Sequence, residues 1–190
     1  MTPAGLLYLD DFLTPADELD LIAHVDAAHD QWLHDLSRRV QHYGYRYHYK
    51  QRTVTADDYL GPLPPWLASV AASLAAAGLV DRIPDQAIVN EYLPGQGIAK
   101  HVDCPPCFGP RIATISLGSD CIMQLRHKEH LHEILLRTRS VLVLAGEARD
   151  RWTHEIPKRK SDRVDGVAVP RSRRLSLTFR TVRVASHCTP

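Results

Sequence analysis

The sequence predicts a mostly β fold with flanking helices (α+β). From residue 87 onward the chain consists largely of short runs with strand character, separated by turns rich in Gly, Pro or charged residues. The predicted strands are 87–93, 98–103, 112–118, 121–126, 133–137, 140–145 and 173–183. Their number and rhythm indicate a jelly-roll barrel, or double-stranded β-helix, buttressed by two N-terminal helices.

Two helices are predicted before the barrel. Thr14 is a favourable N-cap and Pro15 suits the first helical position, so a helix is expected to follow an entering strand at 5–13 and to run to about residue 29. The apolar residues of its predicted inward stripe are Leu19, Leu21, Ile22 and Val25. A second helix, at about 65–78, has apolar residues at helical spacing and ends at Gly78.

Length and composition indicate a single domain. The chain has 190 residues, of which 44% are hydrophobic, so a sizeable core is expected. No run approaches the ~18 apolar residues of a membrane helix, and the N-terminus lacks the layout of a signal peptide. The four cysteines show no disulfide framework; they are Cys104, Cys107, Cys121 and Cys188. We therefore expect a cytoplasmic monomer with no membrane segment.

The formal net charge of +1 conceals an asymmetry along the chain. Residues 1–37 contain eight acidic residues and no Lys or Arg, whereas residues 149–183 contain eleven basic and four acidic residues. Within the basic third, residues 158–171 are interpreted as a mobile basic loop. A basic region of this kind suits a phosphate backbone, but charge runs are often solvated faces. Nucleic-acid contact and a solvated face therefore stay equal alternatives.

A candidate metal site is centred on His101-Val102-Asp103. Alternate side chains of an extended strand share one face, so His101 and Asp103 are expected to turn toward the same ion. His154 is a third candidate ligand, 51 positions after Asp103. Two histidines and one carboxylate form the facial triad of non-haem Fe(II) oxygenases, which leaves positions open for other ligands. A His-x-Asp motif alone is weak evidence, and its weight here comes from the motifs around it.

Residues 174–180 alternate strictly between polar and apolar side chains. This pattern predicts a half-buried strand. Its polar face carries Arg174, Ser176, Thr178 and Arg180. At roughly 3.3 Å per residue the two arginine Cα atoms lie ~20 Å apart, so the arginines are expected to bracket a small dianion from opposite ends. A planar guanidinium suits bidentate recognition of a carboxylate.

Several motifs occur in an order that is far more specific than any one of them. They are Asn90-x-Tyr92, Tyr92-Leu-Pro-Gly-Gln-Gly97, His101-x-Asp103, Ser116-Leu-Gly-Ser119, Trp152-x-His154 and Arg174-x-Ser-x-Thr-x-Arg180. In them, across roughly residues 40–184, the chain resembles the AlkB family of Fe(II)- and 2-oxoglutarate-dependent dioxygenases, closest to the branch that contains a tRNA-modifying member. The resemblance implies one domain (1–190), with helices and a nucleotide-recognition lid in 1–82 and the jelly-roll core in 83–184.

The resemblance also implies roles for individual residues. His101, Asp103 and His154 would be the catalytic residues that hold Fe(II), with 2-oxoglutarate and molecular oxygen as cosubstrates. Arg174 would pair with the distal carboxylate of 2-oxoglutarate. The rest of the cosubstrate pocket would comprise Asn90, Tyr92, Ser176, Thr178 and Arg180.

A tyrosine-rich stretch, residues 40–50, is the candidate substrate contact. Tyr43, Tyr45 and Tyr47 alternate and would share one face, with Arg46 opposite. Aromatic side chains on a hairpin can stack a base, and in the AlkB family the corresponding region is part of the nucleotide-recognition lid. Tyrosines that simply pack a strand are an equal alternative.

Two further motifs have less specific interpretations. Cys104-Pro-Pro-Cys107 has the spacing of a redox-active pair, but the prolines and the neighbouring metal ligand argue against that role. His127, His130 and His132 suggest a zinc cluster, yet their position between two strands favours an exposed hairpin.

The expected function is oxidative dealkylation of damaged bases in DNA or RNA, as the resemblance implies. In archetypal repair enzymes of the family, an acidic residue two positions after the His-x-Asp motif helps to engage the damaged base, and Pro105 stands there in this chain. Hydroxylation of a modified tRNA base is therefore the alternative. A protein-substrate oxygenase and an iron-free binding module fit the complete set of motifs less well. The kind of nucleic acid and the base modification stay open.

Overall fold

Two antiparallel sheets that face each other form a jelly roll in the computed structural model, which describes residues 1–34 and 36–183. The strands are β1 (Leu6–Leu9), β2 (Val40–Tyr43), β3 (Gln86–Tyr92), β4 (Ile98–His101), β5 (Arg111–Leu117), β6 (Cys121–His127), β7 (His130–Leu136), β8 (Val141–Ala145), β9 (Thr153–Ile156), β10 (Ser161–Val164), β11 (Val167–Pro170) and β12 (Arg174–Arg180). The helices are α1 (Pro15–Ala27), α2 (Pro65–Ala76) and α3 (Gly146–Asp150).

The larger sheet has six strands in the order β1-β8-β5-β12-β3-β2, and the smaller sheet has four in the order β4-β9-β6-β7. Strands β10 and β11 form a separate hairpin. The mostly β fold and the jelly roll are therefore confirmed, and the predicted strands match observed ones with boundary shifts of a few residues. Three further strands and a short helix were not predicted from the sequence: β9, β10, β11 and α3. No helix in the described part of the chain is long and apolar enough to cross a membrane.

Helices α1 and α2 cover the outer face of the larger sheet. Helix α1 begins with the predicted N-cap: the Thr14 hydroxyl accepts the Asp17 backbone N–H at 3.1 Å, and the Asp17 carboxylate accepts the Thr14 N–H at 2.9 Å. Leu21 and Val25 are buried in the core. Leu19 is 70% exposed, so its place in the inward stripe was wrong. It lies two positions before Leu21, about 200° around the helix axis.

Strand β12 lies at the centre of the larger sheet, between β5 and β3. Leu175, Leu177 and Phe179 belong to the core that the helices cover. The polar side chains of the strand face the smaller sheet, and from Arg174 to Phe179 every residue is buried. The prediction of a half-buried strand was therefore wrong, because both faces of this central strand are covered.

The segment interpreted as a mobile basic loop contains the β10–β11 hairpin instead. Asp162 anchors it: the buried carboxylate accepts hydrogen bonds from the Ile122 backbone N–H and from the guanidinium groups of Arg159 and Arg171. Burial alone would raise the pKa of Asp162, but the hydrogen bonds and charge of Arg171 hold it below its usual range. Part of the basic charge of this segment is therefore neutralised inside the protein.

Cys104 and Cys107 form a disulfide, so the expectation of no disulfide was wrong. The Cys107 backbone N–H donates to the Cys104 carbonyl oxygen at 3.2 Å, and this turn brings the two Cα atoms to 5.3 Å. Cys121 is free and buried. Cys188 lies outside the described residues. The three histidines on β6 and β7 lie in or beside a hairpin turn, as the preferred interpretation predicted.

Candidate metal and cosubstrate site

A cavity of about 410 Å³ opens between the two sheets. Its inner wall is largely apolar, with side chains from both sheets such as Ile88, Met123 and Leu142. The polar face of β12 and the ends of β4 and β9 also line it. The predicted metal ligands and most of the predicted cosubstrate residues therefore line one cavity, although Arg174 is not among its lining residues.

The three proposed metal ligands meet in this cavity. Strands β4 and β9 pair so that His101 lies directly opposite His154, and their ring centroids are 4.3 Å apart. Asp103 follows two residues after His101, beyond the end of β4. One ligand atom from each of the three residues lies within 4.8 Å of the other two. The strand register thus brings together residues that are far apart in sequence.

Each ligand is held in a form that suits a metal. His101 Nδ1 lies 2.8 Å from the Ala99 carbonyl oxygen, which fixes that nitrogen as the donor and leaves Nε2 for an ion. Burial lowers the pKa of His154 to about 4, so its ring is neutral at pH 7. Burial alone would raise the pKa of Asp103, but the charge of Arg180 holds it far below its usual value. A neutral imidazole and an ionised carboxylate are the ligating forms.

Arg180 is committed to this metal site. Its Nη2 donates to Asp103 Oδ1 at 2.7 Å, and its guanidinium lies 4.8 Å from the centroid of the Phe108 ring. Arg180 keeps a buried, unpartnered Nε, so the expectation that Arg174 and Arg180 bracket a dianion from opposite ends stays a prediction. Asp103 and Arg180 are far apart in sequence and become neighbours only in the folded protein. Their opposite charges then compensate each other.

Arg174 lies at the other end of β12 with unused donors. It is 2% exposed, and its Nη2 donates to Ser116 Oγ at 2.8 Å, while its Nε and Nη1 are buried with no partner. The Nε of Arg180 is also buried and unpartnered. A buried donor without an acceptor costs about 1–3 kcal/mol. Carboxylate oxygens would satisfy these N–H groups, so the site fits a dicarboxylate such as 2-oxoglutarate.

The remaining predicted cosubstrate residues lie along the same wall. Strand β12 pairs with β3, which places Ser176 opposite Asn90. These two residues line the cavity together with Tyr92 and Thr178. The Tyr92 ring also lies 5.5 Å from the guanidinium carbon of Arg174. Most of the predicted set thus lines one enclosed space, and Arg174 adjoins that space through the Tyr92 ring.

The sequence matches the 2OG-Fe(II) oxygenase superfamily over residues 5–180. The chain belongs to this superfamily. The match spans all of the proposed metal and cosubstrate residues, from Asn90 to Arg180. Fe(II), 2-oxoglutarate and dioxygen are the cofactor and cosubstrates of the superfamily, and the His-Asp-His cluster and the unpartnered arginine donors of this oxygenase fit the first two.

Relatives place this oxygenase in the AlkB family, near its ALKBH8 branch, which confirms the resemblance of its motifs. The tRNA (carboxymethyluridine(34)-5-O)-methyltransferase ALKBH8 of Mus musculus is 35% identical over 95% of the chain and 31% of its own length. The Alkylated DNA repair protein ALKBH8 homolog of Arabidopsis thaliana is 37% identical over 94% of the chain and 58% of its own length. The chain thus spans about a third of the mouse relative and over half of the plant one.

A solved structure confirms the fold of this oxygenase independently of close sequence similarity. The structure of OsALKBH1 superposes with a TM-score of 0.72 at 19% identity, covering 95% of this chain and 98% of that chain. At this identity the likeness is one of fold alone.

The three alternating tyrosines do not share one face. Strand β2 ends at Tyr43, and Gly44 then adopts a φ of +77°, which breaks the alternation. Tyr43 packs edge-on against Trp66 beside the core, and burial raises its pKa to about 12. Tyr45 packs against Tyr59, with ring centroids 5.0 Å apart.

Of these tyrosines, only Tyr47 lines the cavity, where Tyr49 joins it with the two ring centroids 5.1 Å apart. Arg46 is exposed and does not line the cavity. The predicted substrate contacts are therefore reduced to Tyr47, and Tyr43 follows the alternative interpretation of a packing residue.

Several cavity residues were not predicted. They are Arg38, Tyr49, Arg52, Lys100 and Lys158. Arg38 donates from Nε to Asn90 Oδ1 at 2.8 Å, across 52 positions of sequence. Nothing in the local pattern signals this contact, because two adjacent arginines before a strand are typical of a solvated edge. Lys100 carried a weak signal, since it directly precedes a proposed ligand.

Proposed function

We propose that this oxygenase uses Fe(II), 2-oxoglutarate and dioxygen to oxidise a base in nucleic acid, and that dealkylation of an alkylated base is its activity. The observation that carries the proposal is the cluster of His101, Asp103 and His154 in a cavity whose wall includes Tyr92, the residue that the guanidinium of Arg174, with its unpartnered donors, packs against. A binding module on the same barrel would have no use for either feature.

The chain's own residues divide the work in this proposal. His101, Asp103 and His154 hold the metal, Arg180 fixes the Asp103 carboxylate, and Arg174 binds the distal carboxylate of the cosubstrate. When bound, Fe(II) and 2-oxoglutarate couple the reduction of dioxygen to the oxidation of a C–H bond. The apolar wall excludes water, and the enclosure orients the reacting group toward the metal.

The mouth of the cavity supports a nucleic-acid substrate. Arg52, Lys100 and Lys158 are exposed cations on its rim, where they suit phosphate groups of a strand. Tyr47 and Tyr49 offer aromatic faces at the same opening, which suit an unstacked base. Two relatives, one named a tRNA methyltransferase and one an alkylated DNA repair protein, agree with this substrate class.

A second candidate activity is hydroxylation of a modified tRNA base. Two observations favour it: the mouse relative is named for a tRNA uridine at position 34, and Pro105 occupies the position at which archetypal repair enzymes carry an acid. The oxidised product then keeps its hydroxyl group, whereas a hydroxylated N-alkyl group is released as an aldehyde. We further propose that the protein acts as a cytoplasmic monomer.

Mass spectrometry of defined substrates tests the proposal. Methylated DNA and RNA oligonucleotides, etheno-modified oligonucleotides and bulk tRNA are incubated with the protein, Fe(II) and 2-oxoglutarate. We expect succinate to form together with a mass loss of 14 for demethylation, or a mass gain of 16 for hydroxylation, because a methyl group is replaced by hydrogen or an oxygen atom is added. Succinate without any change in DNA, RNA or tRNA would contradict the nucleic-acid assignment.

A further inference from the structure

Arg38 is a buried cation that faces the cavity. The residue is 7% exposed, and its Nε donates to the Asn90 side-chain oxygen at 2.8 Å. Its guanidinium carbon lies 5.9 Å from the centroid of the Tyr49 ring and 5.8 Å from that of Tyr92. Among residues 1–34 and 36–183, no carboxylate forms an ion pair with it. A buried charge held only by an amide and aromatic faces still has capacity for an acceptor.

The charged residues of the cavity wall are strongly unbalanced. The cations that line it are Arg38, Arg52, Lys100, Lys158 and Arg180, and the only lining carboxylate in the described chain is that of Asp103. Asp103 is already paired with Arg180 at 2.7 Å. This ion pair cancels, so four lining cations have no lining carboxylate among the described residues, and Arg38 is the one of the four that is buried.

The cosubstrate does not account for Arg38. In the proposed function, one carboxylate of 2-oxoglutarate meets Arg174 and the other meets the metal, so both of its negative charges have partners. Arg38 reaches the cavity beside the Asn90 amide, and its guanidinium lies about equally close to the rings of Tyr49 and Tyr92. Within the described residues no acceptor is paired with the Nη groups of Arg38, so these N–H groups are available to the base that is oxidised.

We propose that Arg38 makes this oxygenase select neutral or anionic modified bases and reject bases that carry a positive charge. A cationic N-alkylated base would enter beside a buried guanidinium, where water screens like charges poorly. A uracil-type base offers carbonyl oxygens, and an acidic substituent offers a carboxylate; either accepts hydrogen bonds from the fork. This inference rests on the proposed function and narrows its substrate class.

A matched pair of bases tests the charge rule without turnover. 3-Methyluracil and 3-methylcytosine carry the methyl group on the same ring nitrogen, but only the methylcytosine is a cation at neutral pH. Each is placed in the same single-stranded RNA oligonucleotide, and dissociation constants are measured for the anaerobic protein loaded with Fe(II) and 2-oxoglutarate. We expect the neutral base to bind at least ten-fold more tightly than the cationic one. Equal binding, or tighter binding of the cation, would overturn the proposal.

A charge series at one position separates specificity from packing. The preference is the ratio of the dissociation constant of the cationic base to that of the neutral base. This ratio should largely persist in Arg38→Lys, fall toward one in Arg38→Gln, and drop below one in Arg38→Glu. Arg39→Gln is the matched control, because Arg39 pairs with Glu91 and stacks on Trp32 outside the cavity, and it should keep the parent preference. A uniform loss of affinity for both bases, with no dependence on the charge at residue 38, would show a purely structural role.

The affinity for 2-oxoglutarate tests the remaining explanation, which is that Arg38 binds the cosubstrate and not the base. If Arg38→Gln weakened 2-oxoglutarate binding as strongly as it changed base preference, Arg38 would belong to the cosubstrate pocket and the proposal would be wrong. Base oxidation is measured separately under air. If the protein preferred the neutral base in binding but oxidised no base, the proposed function would be wrong. The inference that Arg38 selects bases by charge would still hold.

Discussion

The two ends of the cavity are built in different ways. At the inner end, His101 lies opposite His154 because β4 pairs with β9, and Ser176 lies opposite Asn90 because β12 pairs with β3. At the mouth, Tyr47, Tyr49 and Arg52 lie outside any regular strand. Hydrogen-bonded strands can hold the reacting groups in a geometry with narrow limits. Side chains at the mouth, by contrast, can be substituted without disturbing a sheet. We infer that the chemistry depends on the inner end and the choice of substrate on the mouth.

The largest expected effect is loss of the metal site at the inner end. His101→Ala or Asp103→Ala removes one ligand of three, so Fe(II)-dependent succinate formation should fall at least ~100-fold while the barrel stays folded. Succinate is measured by mass spectrometry and folding by circular dichroism. Fe(II) with 2-oxoglutarate should raise the melting temperature of the parent and of neither variant. Full turnover in either variant would refute the metal assignment.

A smaller effect is expected from the cosubstrate anchor. Arg174→Lys keeps the charge but loses the fork and the bond to Ser116, so the KM for 2-oxoglutarate should rise about ten-fold, the equivalent of ~1.4 kcal/mol. The adjacent Arg173→Lys is the control, because Arg173 pairs with Asp26 and Glu91 outside the cavity. An equal rise in both variants would show that Arg174 acts only through the stability of the sheet.

The tyrosines test the mouth against the core. Tyr47→Ala should lower kcat/KM for the nucleic acid roughly five-fold, about 1 kcal/mol of lost stacking, with less effect on uncoupled 2-oxoglutarate turnover. Tyr43→Ala should instead lower the free energy of unfolding by about 2–3 kcal/mol, because the ring packs against Trp66 beside the core. Urea denaturation and steady-state kinetics measure the two effects. If the two variants behaved alike, the division between mouth and core would be wrong.

The smallest expected effect concerns the rim. Lys100→Gln with Lys158→Gln removes two exposed cations, so the log–log slope of nucleic-acid affinity against salt should become less steep by about 1.4, at ~0.7 per phosphate contact on a single strand. Arg159 is unsuitable for this test because it is paired with Asp162. Arg163→Gln, a basic residue outside the cavity, is the control. An unchanged slope would show that the nucleic-acid strand does not contact Lys100 and Lys158. The identity of the oxidised base should be the same in the parent and the double variant, because phosphate contacts do not specify sequence.

The sequence by itself predicted the barrel and the set of metal ligands at the inner end. Strand periodicity and turn residues predicted the barrel, and motif order identified His101, Asp103, His154 and Arg174. The barrel and the clustering of His101, Asp103 and His154 are confirmed, because strand and turn signals are local and the order of the motifs is that of a known family. The cosubstrate role of Arg174 stays a prediction.

Only the tertiary structure decided which partner each charged group takes. Arg180 meets Asp103, Arg38 meets Asn90, and Gly44 turns Tyr45 and Tyr47 away from the face of Tyr43. Such contacts join residues up to 77 positions apart. The local sequence pattern does not predict these contacts, because burial and Coulomb attraction depend on distances that are set only when the two sheets pack together.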